Sequence, residues 1–207
     1  MSAREAASLV VLLHGVGASG ADLVPLADAL RPLLAGARVT TPDAPHPFEG
    51  GGARGRQWFS VAGITEANRA ERMAAARAAF DRLLEAQIAA AGLSGRPERV
   101  ALFGFSQGSI MALDGLASGR WPVAAVAASA GRLATPDPLT PARTTRVLLL
   151  HGEADPVIPA SESRRAAERL TAAGLAVETR LFPRLGHSIS PEEALIAGAF
   201  LAKALAR

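Results

Sequence analysis

A serine between two glycines carries the strongest chemical signal in the sequence. Residues 104–108 read G-F-S-Q-G and match the pattern G-x-S-x-G, directly after an apolar run and directly before a helical stretch. In a nucleophile elbow this pattern makes a tight turn from strand to helix, which strains the serine backbone and lifts its hydroxyl above the sheet. Glycine is needed at both flanks because neighbouring backbone passes close by. We therefore predict that Ser106 is a nucleophile.

A serine hydroxyl reacts only when a histidine takes its proton and a carboxylate orients that histidine. The sequence has four histidines, and with this elbow the chain order is serine, acid, histidine. His14 and His46 precede the serine, and His151 follows an apolar run too closely to come after an acid on the next loop. His187 follows the last predicted strand and has a small residue on each side. It is the predicted base.

The acid is expected in the segment H-G-E-A-D-P-V at 151–157. Asp155 is the preferred candidate because it lies several residues past the end of a strand, where a loop can turn it toward His187. The following proline stiffens its backbone. Glu153 is the competitor in the same segment, and Asp137 is a more distant third candidate.

Two backbone N–H groups should face the oxyanion that develops during acyl transfer. One is predicted to be the N–H of Gln107, the residue after the nucleophile. The other should come from the loop after the first strand, where residues 14–20 read H-G-V-G-A-S-G. Val16 is the predicted second donor.

The same glycine-rich loop permits a second interpretation. Gly15, Gly17 and Gly20 satisfy the spacing G-x-G-x-x-G of a dinucleotide-binding turn, and Asp43 is a loose match to the acid that would bind the ribose. This alternative would leave Ser106 and His187 without a purpose, so it ranks second.

Short apolar runs alternate with longer alanine-rich helical stretches, a pattern typical of a parallel sheet covered by helices on both faces. The fold class is therefore predicted to be α/β. Strands are expected at 9–13, 38–41, 100–103, 123–129, 147–150 and 176–182, the second and last of them nearer the sheet edges. Helices are expected at 21–34, 66–91, 107–117, 161–173 and 191–206. Two long loops, 42–56 and 131–145, remain.

Composition excludes several classes of protein. The 207 residues contain no cysteine, which rules out disulfides, thiolate metal sites and a cysteine nucleophile. The formal net charge is only +3, with charges spread along the chain, so nucleic acid is not an expected partner. No stretch reaches the roughly 18 apolar residues of a membrane span, and no signal peptide is evident. A cytoplasmic protein without stable membrane insertion is the expectation.

Five motifs in order resemble the bacterial phospholipase/carboxylesterase family, relatives of the acyl-protein thioesterases. They are H-G-V-G-A-S-G at 14–20, R-Q-W-F-S at 56–60, G-F-S-Q-G at 104–108, H-G-E-A-D-P-V-I-P at 151–159 and G-H-S-I-S at 186–190. The resemblance implies an α/β-hydrolase fold without a cofactor or metal that cleaves carboxylic esters and, in some members, thioesters. It maps the triad onto Ser106, Asp155 and His187, and the oxyanion donors onto Val16 and Gln107. Trp58 and Phe59 resemble the family's aromatic pair beside the acyl pocket, although Trp58 is equally interpretable as core filler.

Two positions depart from the family pattern. Ser109 stands where the family usually has a further glycine after the elbow, and Ser60 where it usually has an aspartate. These departures bear on substrate choice rather than on the triad.

The expected protein is one minimal, lidless domain over residues 1–207 that hydrolyses small-molecule esters of short to medium acyl chains. A lysophospholipase or acyl-protein thioesterase of long chains is the alternative, and a non-catalytic ligand-binding protein is a weaker one. The sequence leaves open whether the chain forms a homodimer.

Overall fold

The computed structural model describes residues 6–50 and 54–206, and its centre is a parallel β-sheet. The described strands are β1 (Ser8–Leu13), β2 (Ala37–Thr40), β3 (His46–Pro47), β4 (Arg56–Gln57), β5 (Val100–Phe105), β6 (Ala125–Ser129), β7 (Arg146–Gly152) and β8 (Ala176–Phe182). Six of them form the sheet in the order β2-β1-β5-β6-β7-β8, and every neighbouring pair is parallel. The predicted α/β class is confirmed, with both less continuous runs at the sheet edges.

Five α-helices cover the two faces of this sheet. They are α1 (Val24–Leu30), α2 (Glu66–Ala90), α3 (Gln107–Ala117), α4 (Ser161–Ala172) and α5 (Pro191–Leu205). The helix predicted from residue 21 to 34 is shorter than expected, because it opens as a 3-10 turn at Gly20–Leu23 and its α-helical part ends at Leu30. No helix among the described residues is long and apolar enough to cross a bilayer.

The central strands send alternate side chains into two separate apolar layers. In β1, Leu9, Val11 and Leu13 pack into one layer with α2, α3 and α4. Val10 and Leu12 pack into the other layer with α1 and α5. Strands buried on both faces need apolar residues at every position, which is why these runs do not alternate with polar residues.

The long loop 42–56 contains structure that the sequence did not predict. His46 pairs with Gln57 and Pro47 with Arg56 in a two-stranded antiparallel ribbon, β3–β4. Strands of two residues are too short to show the alternating pattern of a β-strand, and β3 also contains a proline, so the sequence predicted a loop here. Residues 51–53, between these strands, lie outside the described part of the chain.

The carboxyl ends of the parallel strands share one edge of the sheet. The loops that follow β1, β5, β7 and β8 carry residues 14–20, Ser106, Asp155 and His187, respectively. In open parallel α/β sheets, ligand sites lie beyond this edge. The fold therefore gathers the chemically interesting segments, which are far apart in the sequence.

Candidate active site

Ser106 occupies a strained turn between β5 and α3. Its backbone has φ 52° and ψ −115°, a region that residues with a Cβ atom rarely adopt. The Ser106 N–H donates to the Ser129 carbonyl at 2.9 Å, which fixes the turn to the neighbouring strand β6. A Cβ atom on Gly104 would lie 2.6 Å from the carbonyl carbon of Gly108, and one on Gly108 would collide with the Leu13 carbonyl. Both glycines of the motif are therefore sterically required.

Ser109 fits beneath Ser106 because a glycine, Gly131, faces it. Its side chain is fully buried, and its hydroxyl has no hydrogen-bond partner among the described residues. A Cβ atom on Gly131 would collide with this hydroxyl. The departure at position 109 is thus accommodated by the absence of a side chain at position 131.

Two hydrogen bonds connect Ser106, His187 and Asp155. His187 Nε2 lies 2.9 Å from Ser106 Oγ, and His187 Nδ1 lies 2.7 Å from Asp155 Oδ2. In the tautomer that satisfies both contacts, Nδ1–H donates to the carboxylate and Nε2 accepts from the serine hydroxyl. Ser106 is 7% exposed, whereas the side chain of Asp155 is fully buried.

Backbone N–H groups hold the Asp155 carboxylate from its other side. Its Oδ1 accepts from Val157 at 2.8 Å and from Ile158 at 2.9 Å. Burial acts to raise the pKa of Asp155, but the hydrogen bonds from His187, Ile158 and Val157 outweigh it and hold the pKa below its ordinary value. The carboxylate is therefore ionised at neutral pH.

His151 is a buried neighbour of this carboxylate. Its Nε2 lies 2.8 Å from the Ile158 carbonyl and 3.3 Å from Asp155 Oδ2, and its Nδ1 lies 2.7 Å from Ser163 Oγ. In this arrangement Nε2–H donates toward the Asp155 loop while Nδ1 accepts from the serine hydroxyl. No local pattern indicates this support, because the residues involved come from a strand, a loop and a helix.

The structure places the competing residues elsewhere. Glu153 pairs with Arg164 at 2.8 Å, and Asp137 pairs with Arg169 at 2.9 Å, so neither contacts His187. His46 lies exposed in β3.

The loop after β1 lies against Ser106. A Cβ atom on Gly15 would lie 3.3 Å from the Cβ of Ser106, which places the following N–H, that of Val16, close to the serine. Among the hydrogen bonds of the described residues, none uses the N–H of Val16 or of Gln107. Both groups are available to an anion, and Gln107 N–H lies at the first turn of α3.

His14 and the segment after β2 hold this loop in place. His14 is buried, and desolvation lowers its pKa, so the ring is neutral. Its Nε2 accepts from the Ala44 N–H at 2.9 Å, and its Nδ1 lies 2.7 Å from the Gly15 carbonyl. Gly17 N–H donates to the Arg56 carbonyl, and Arg56 N–H donates to the Ala18 carbonyl.

The position of Asp43 weakens the dinucleotide interpretation. Its Oδ1 accepts a hydrogen bond of 2.7 Å from the Gly20 N–H, so the acid that would bind a ribose instead closes the loop. A Cβ atom on Gly20 would collide with the Thr41 carbonyl. The glycine at position 20 is therefore explained by packing between the loop and the end of β2.

Trp58 and Phe59 are both buried next to the site. The Trp58 indole N–H donates to the His14 carbonyl at 2.8 Å, and its ring meets Phe80 edge to face. The Gln107 side chain accepts from Trp58 N–H at 2.8 Å and donates to the Phe59 carbonyl at 2.7 Å. The pair also borders a cavity of about 440 Å³ beside α2. Core packing is evident for Trp58, and contact of either residue with substrate stays a prediction.

No cluster of three or more potential metal ligands occurs among residues 6–50 and 54–206. The site consists of a serine, an imidazole, a carboxylate and two free backbone N–H groups. Such a set can perform nucleophilic acyl transfer with proton transfer through the imidazole.

Comparison with known proteins agrees with this chemistry. Residues 1–205 match a family model described as phospholipase/carboxylesterase. The chain belongs to the phospholipase/carboxylesterase family. Members are hydrolases of carboxylic esters, so the predicted enzyme class is confirmed.

Individual relatives of the phospholipase/carboxylesterase family cover most of the chain. Esterase YpfH of Escherichia coli (strain K12) is 35% identical over 90% of this chain and 78% of its own length. Acyl-protein thioesterase 1 of Mycosarcoma maydis is 32% identical over 93% of this chain and 89% of its own. The crystal structure of esterase PE8 superposes with a TM-score of 0.85 at 32% identity, covering 97% of this chain and 94% of the other.

Proposed function

We propose that the protein is a serine carboxylesterase that acts through a covalent acyl-enzyme, with Ser106 as nucleophile, His187 as general base and Asp155 as the acid that orients it. The observation that carries this proposal is the pair of hydrogen bonds from Ser106 to His187 and from His187 to Asp155, built on a serine with positive φ.

In the acylation half, Ser106 Oγ attacks the ester carbonyl carbon while its proton passes to His187 Nε2. The carbonyl oxygen becomes an oxyanion that accepts from the N–H groups of Val16 and Gln107. The intermediate then collapses, the bond between carbonyl carbon and alcohol oxygen breaks, and His187 returns the proton to the departing alkoxide. The product is an alcohol and an ester of Ser106.

In the deacylation half, water takes the place of the alcohol. His187 removes a proton from water as the hydroxyl adds to the acyl carbon, and the same N–H groups hold the second oxyanion. Collapse releases the carboxylic acid, and the proton on His187 returns to Ser106 Oγ. Asp155 stays ionised throughout and stabilises the imidazolium in each half.

The proposed substrates carry short to medium acyl chains. Support comes from the connections at the carboxyl edge of the sheet: within the described residues, the segments 130–145 and 183–190 contain no helix that could cover the site. A rate maximum between acetyl and octanoyl esters is expected in a series of 4-nitrophenyl esters from acetyl to palmitoyl, with one matched thioester. A maximum at palmitoyl, or a clear preference for the thioester, would instead favour the long-chain hydrolase or thioesterase alternative.

The nucleophile is tested by Ser106→Ala, which removes the attacking oxygen and little else. Turnover of 4-nitrophenyl butyrate and labelling by a fluorophosphonate probe should both disappear. Ser109→Ala is the matched control, because this hydroxyl is buried without a hydrogen-bond partner among the described residues, and it should keep both signals. Labelling that persists in Ser106→Ala would assign the nucleophile to another residue.

A further inference from the structure

A charged cavity of about 220 Å³ lies among the starts of two helices and the segment after β6. It is bounded by the first turn of α2, the first two turns of α4 and the segment that follows β6. Seven charged residues line it: Arg69, Arg132, Arg165, Arg169, Glu66, Asp137 and Glu162. We call this space the arginine cavity. Its charged lining suits a compact polar group rather than an acyl chain.

The charges of the arginine cavity are unequally exposed. The side chains of Arg132 and Arg69 are 15% and 18% exposed, whereas those of Glu66 and Asp137 are 82% and 74% exposed. Glu162 is the better-buried acid, and its partner Arg165 lies toward solvent. The interior of the cavity is therefore dominated by positive charge, while two of its three acids reach into water.

Arg132 has the poorest set of partners among these arginines. Its guanidinium donates no hydrogen bond within the described residues, and its nearest carboxylate oxygen, Glu66 Oε2, lies 3.7 Å away. That same oxygen already binds Arg69 at 2.6 Å. Burial, and then the positive charge of Arg69, lower the pKa of Arg132. A bound oxyanion would act against this lowering, because its negative charge favours the charged guanidinium and a guanidinium can bind it through two parallel hydrogen bonds.

The walls of the cavity are continuous with the catalytic elements. A Cβ atom on Gly131 would lie 3.5 Å from the Ser106 carbonyl oxygen. Because consecutive Cα atoms are about 3.8 Å apart, the Cα of Arg132 lies within roughly 9 Å of that oxygen. Glu66, on the α2 wall, comes seven residues after Phe59 in the sequence, and the Phe59 carbonyl accepts a hydrogen bond from the Gln107 side chain. Glu162, on the α4 wall, comes seven residues after Asp155.

We propose that the arginine cavity is a subsite for a compact oxyanion, a carboxylate or phosphate group carried by the ester substrate, with Arg132 as its principal ligand. The inference rests on the proposed esterase function and narrows it to esters with a negatively charged group. The anion is carried either on the acyl part or on the alcohol part of the substrate, and two matched pairs of esters distinguish these sources.

The acyl-side pair is mono-4-nitrophenyl glutarate and neutral 4-nitrophenyl butyrate. The alcohol-side pair is 4-(butyryloxy)benzoate and its neutral methyl ester. The measured quantity is the ratio of kcat/KM for the anionic ester to that for the neutral ester in each pair. The wild-type protein should prefer the anionic member of one pair, and Arg132→Gln should lower that ratio at least about tenfold, the usual scale for a lost charge-assisted hydrogen bond. The matched control is Arg82→Gln, an exposed arginine on α2 away from the cavity, which should keep the wild-type ratio.

A ratio near one for both pairs in the wild-type protein would overturn the proposal, as would a ratio that Arg132→Gln leaves unchanged. An unchanged ratio also results if Arg132→Gln lowers kcat/KM equally for both esters of a pair, which is the effect of a purely structural role. If Arg132→Gln does not fold, the rim variant Arg165→Gln must lower the same ratio, and an unchanged ratio there would count against the subsite equally.

Binding of the free products separates this inference from the proposed function. Glutarate and 4-hydroxybenzoate are titrated into the protein in a calorimeter, with and without Arg132→Gln. Arg132-dependent binding without hydrolysis of any ester would retain the anion site and reject the esterase. Hydrolysis of neutral esters with neither anion preference nor anion binding would reject the anion site alone.

Discussion

Three hydrogen bonds converge on the carboxylate of Asp155. Two come from backbone N–H groups to Oδ1 and one from the His187 ring to Oδ2. The His151 ring, whose Nε2 lies 2.8 Å from the Ile158 carbonyl, approaches Oδ2 at 3.3 Å. The side chain is therefore held in one rotamer, and so is the imidazole that it orients.

Asp155→Asn should disrupt this arrangement without changing its size. An amide offers one acceptor oxygen and one NH₂ group, so His187 Nδ1–H loses its acceptor or the backbone N–H groups lose theirs. The ring then favours the wrong tautomer, and kcat for 4-nitrophenyl butyrate should fall about 10³- to 10⁴-fold.

Glu153→Gln is the matched control for that substitution, because Glu153 lies two residues away and pairs only with the surface residue Arg164. Its kcat should stay within about twofold of wild type, since exposed ion pairs contribute little. A loss of less than tenfold in Asp155→Asn would mean that another group orients His187.

Sequence reasoning predicted Ser106 and His187 from motif and chain order and preferred Asp155 to Glu153, and two hydrogen bonds join these three residues in the structure. It could not find the supporting side chains. His14 binds a backbone N–H thirty residues away, and the Gln107 side chain binds the backbone at Trp58 and Phe59. Such contacts depend on where three loops meet, which no local pattern encodes.

At the scale of elements, the helices that carry the site are joined by a buried ionic network. Asp114 of α3 is fully buried and accepts from Arg77 of α2, from Arg120 and from Thr135. Burial acts to raise the pKa of Asp114, but the hydrogen bonds from Arg77, Arg120 and Thr135 lower it overall. Since α3 begins immediately after Ser106, this network fixes the helix beneath the nucleophile.

Asp114→Asn should destabilise the protein strongly, because it removes the charged partner of Arg77 and one of the two charged partners of Arg120. Removing one partner of a buried ion pair costs about 3–5 kcal/mol. The free energy of unfolding in urea at pH 7 measures this loss. Asp28→Asn, at an exposed pair with Arg31 on α1, should cost about 1 kcal/mol or less. Equal effects of the two substitutions would contradict a structural role for the network.

Elements with strong periodicity were predictable and those fixed by tertiary contacts were not. The last strand and α3 match their predicted bounds, because Gly174 ends the helix before the strand and the G-F-S-Q-G motif marks the start of α3. The ribbon β3–β4 escaped prediction, since its pairing depends on contacts with the loop at 14–20 rather than on its own residues. The early end of α1 does have a local signal, since Pro32 follows the C-cap Arg31 and helices usually end at or before the residue that precedes a proline.

At the scale of the whole molecule, buried acids set the dependence of stability on pH. Glu193, in the first turn of α5, is 1% exposed, and neither carboxylate oxygen has a hydrogen-bond partner among the described residues. Burial raises the pKa of Glu193 above its ordinary value of 4.5, an effect that the nearby Ser129 hydroxyl only partly offsets. Asp114 and Asp155 have pKa values shifted the other way.

These opposite shifts act in different ranges of pH. The stability that Asp114 and Asp155 contribute is present above their ordinary pKa of 3.8 and is lost as pH falls through their lowered values. For Glu193 the folded state holds its proton longer than the unfolded state. The loss of stability that ionisation of Glu193 causes is therefore absent below pH 4.5 and grows as pH rises toward the raised pKa.

Glu193→Gln should remove the decrease in unfolding free energy that ionisation of Glu193 causes above pH 4.5. Urea unfolding is measured from pH 4 to pH 9 for both proteins. The difference in unfolding free energy, variant minus wild type, should rise with pH, because the variant has no carboxyl group to ionise at this position. A difference that is constant across this range would show that Glu193 does not titrate differently in the folded and unfolded states.

The hydrogen bonds that hold the loop at 14–20 limit which sequence changes this chain can tolerate. Most of them come from main-chain atoms of the segment after β2: the Ala44 N–H, the Arg56 N–H and the Arg56 carbonyl. Main-chain partners survive a change of side chain but not a change of spacing. Single-residue deletions between β2 and β4 should therefore be about as rare among homologous chains as replacements of Ser106.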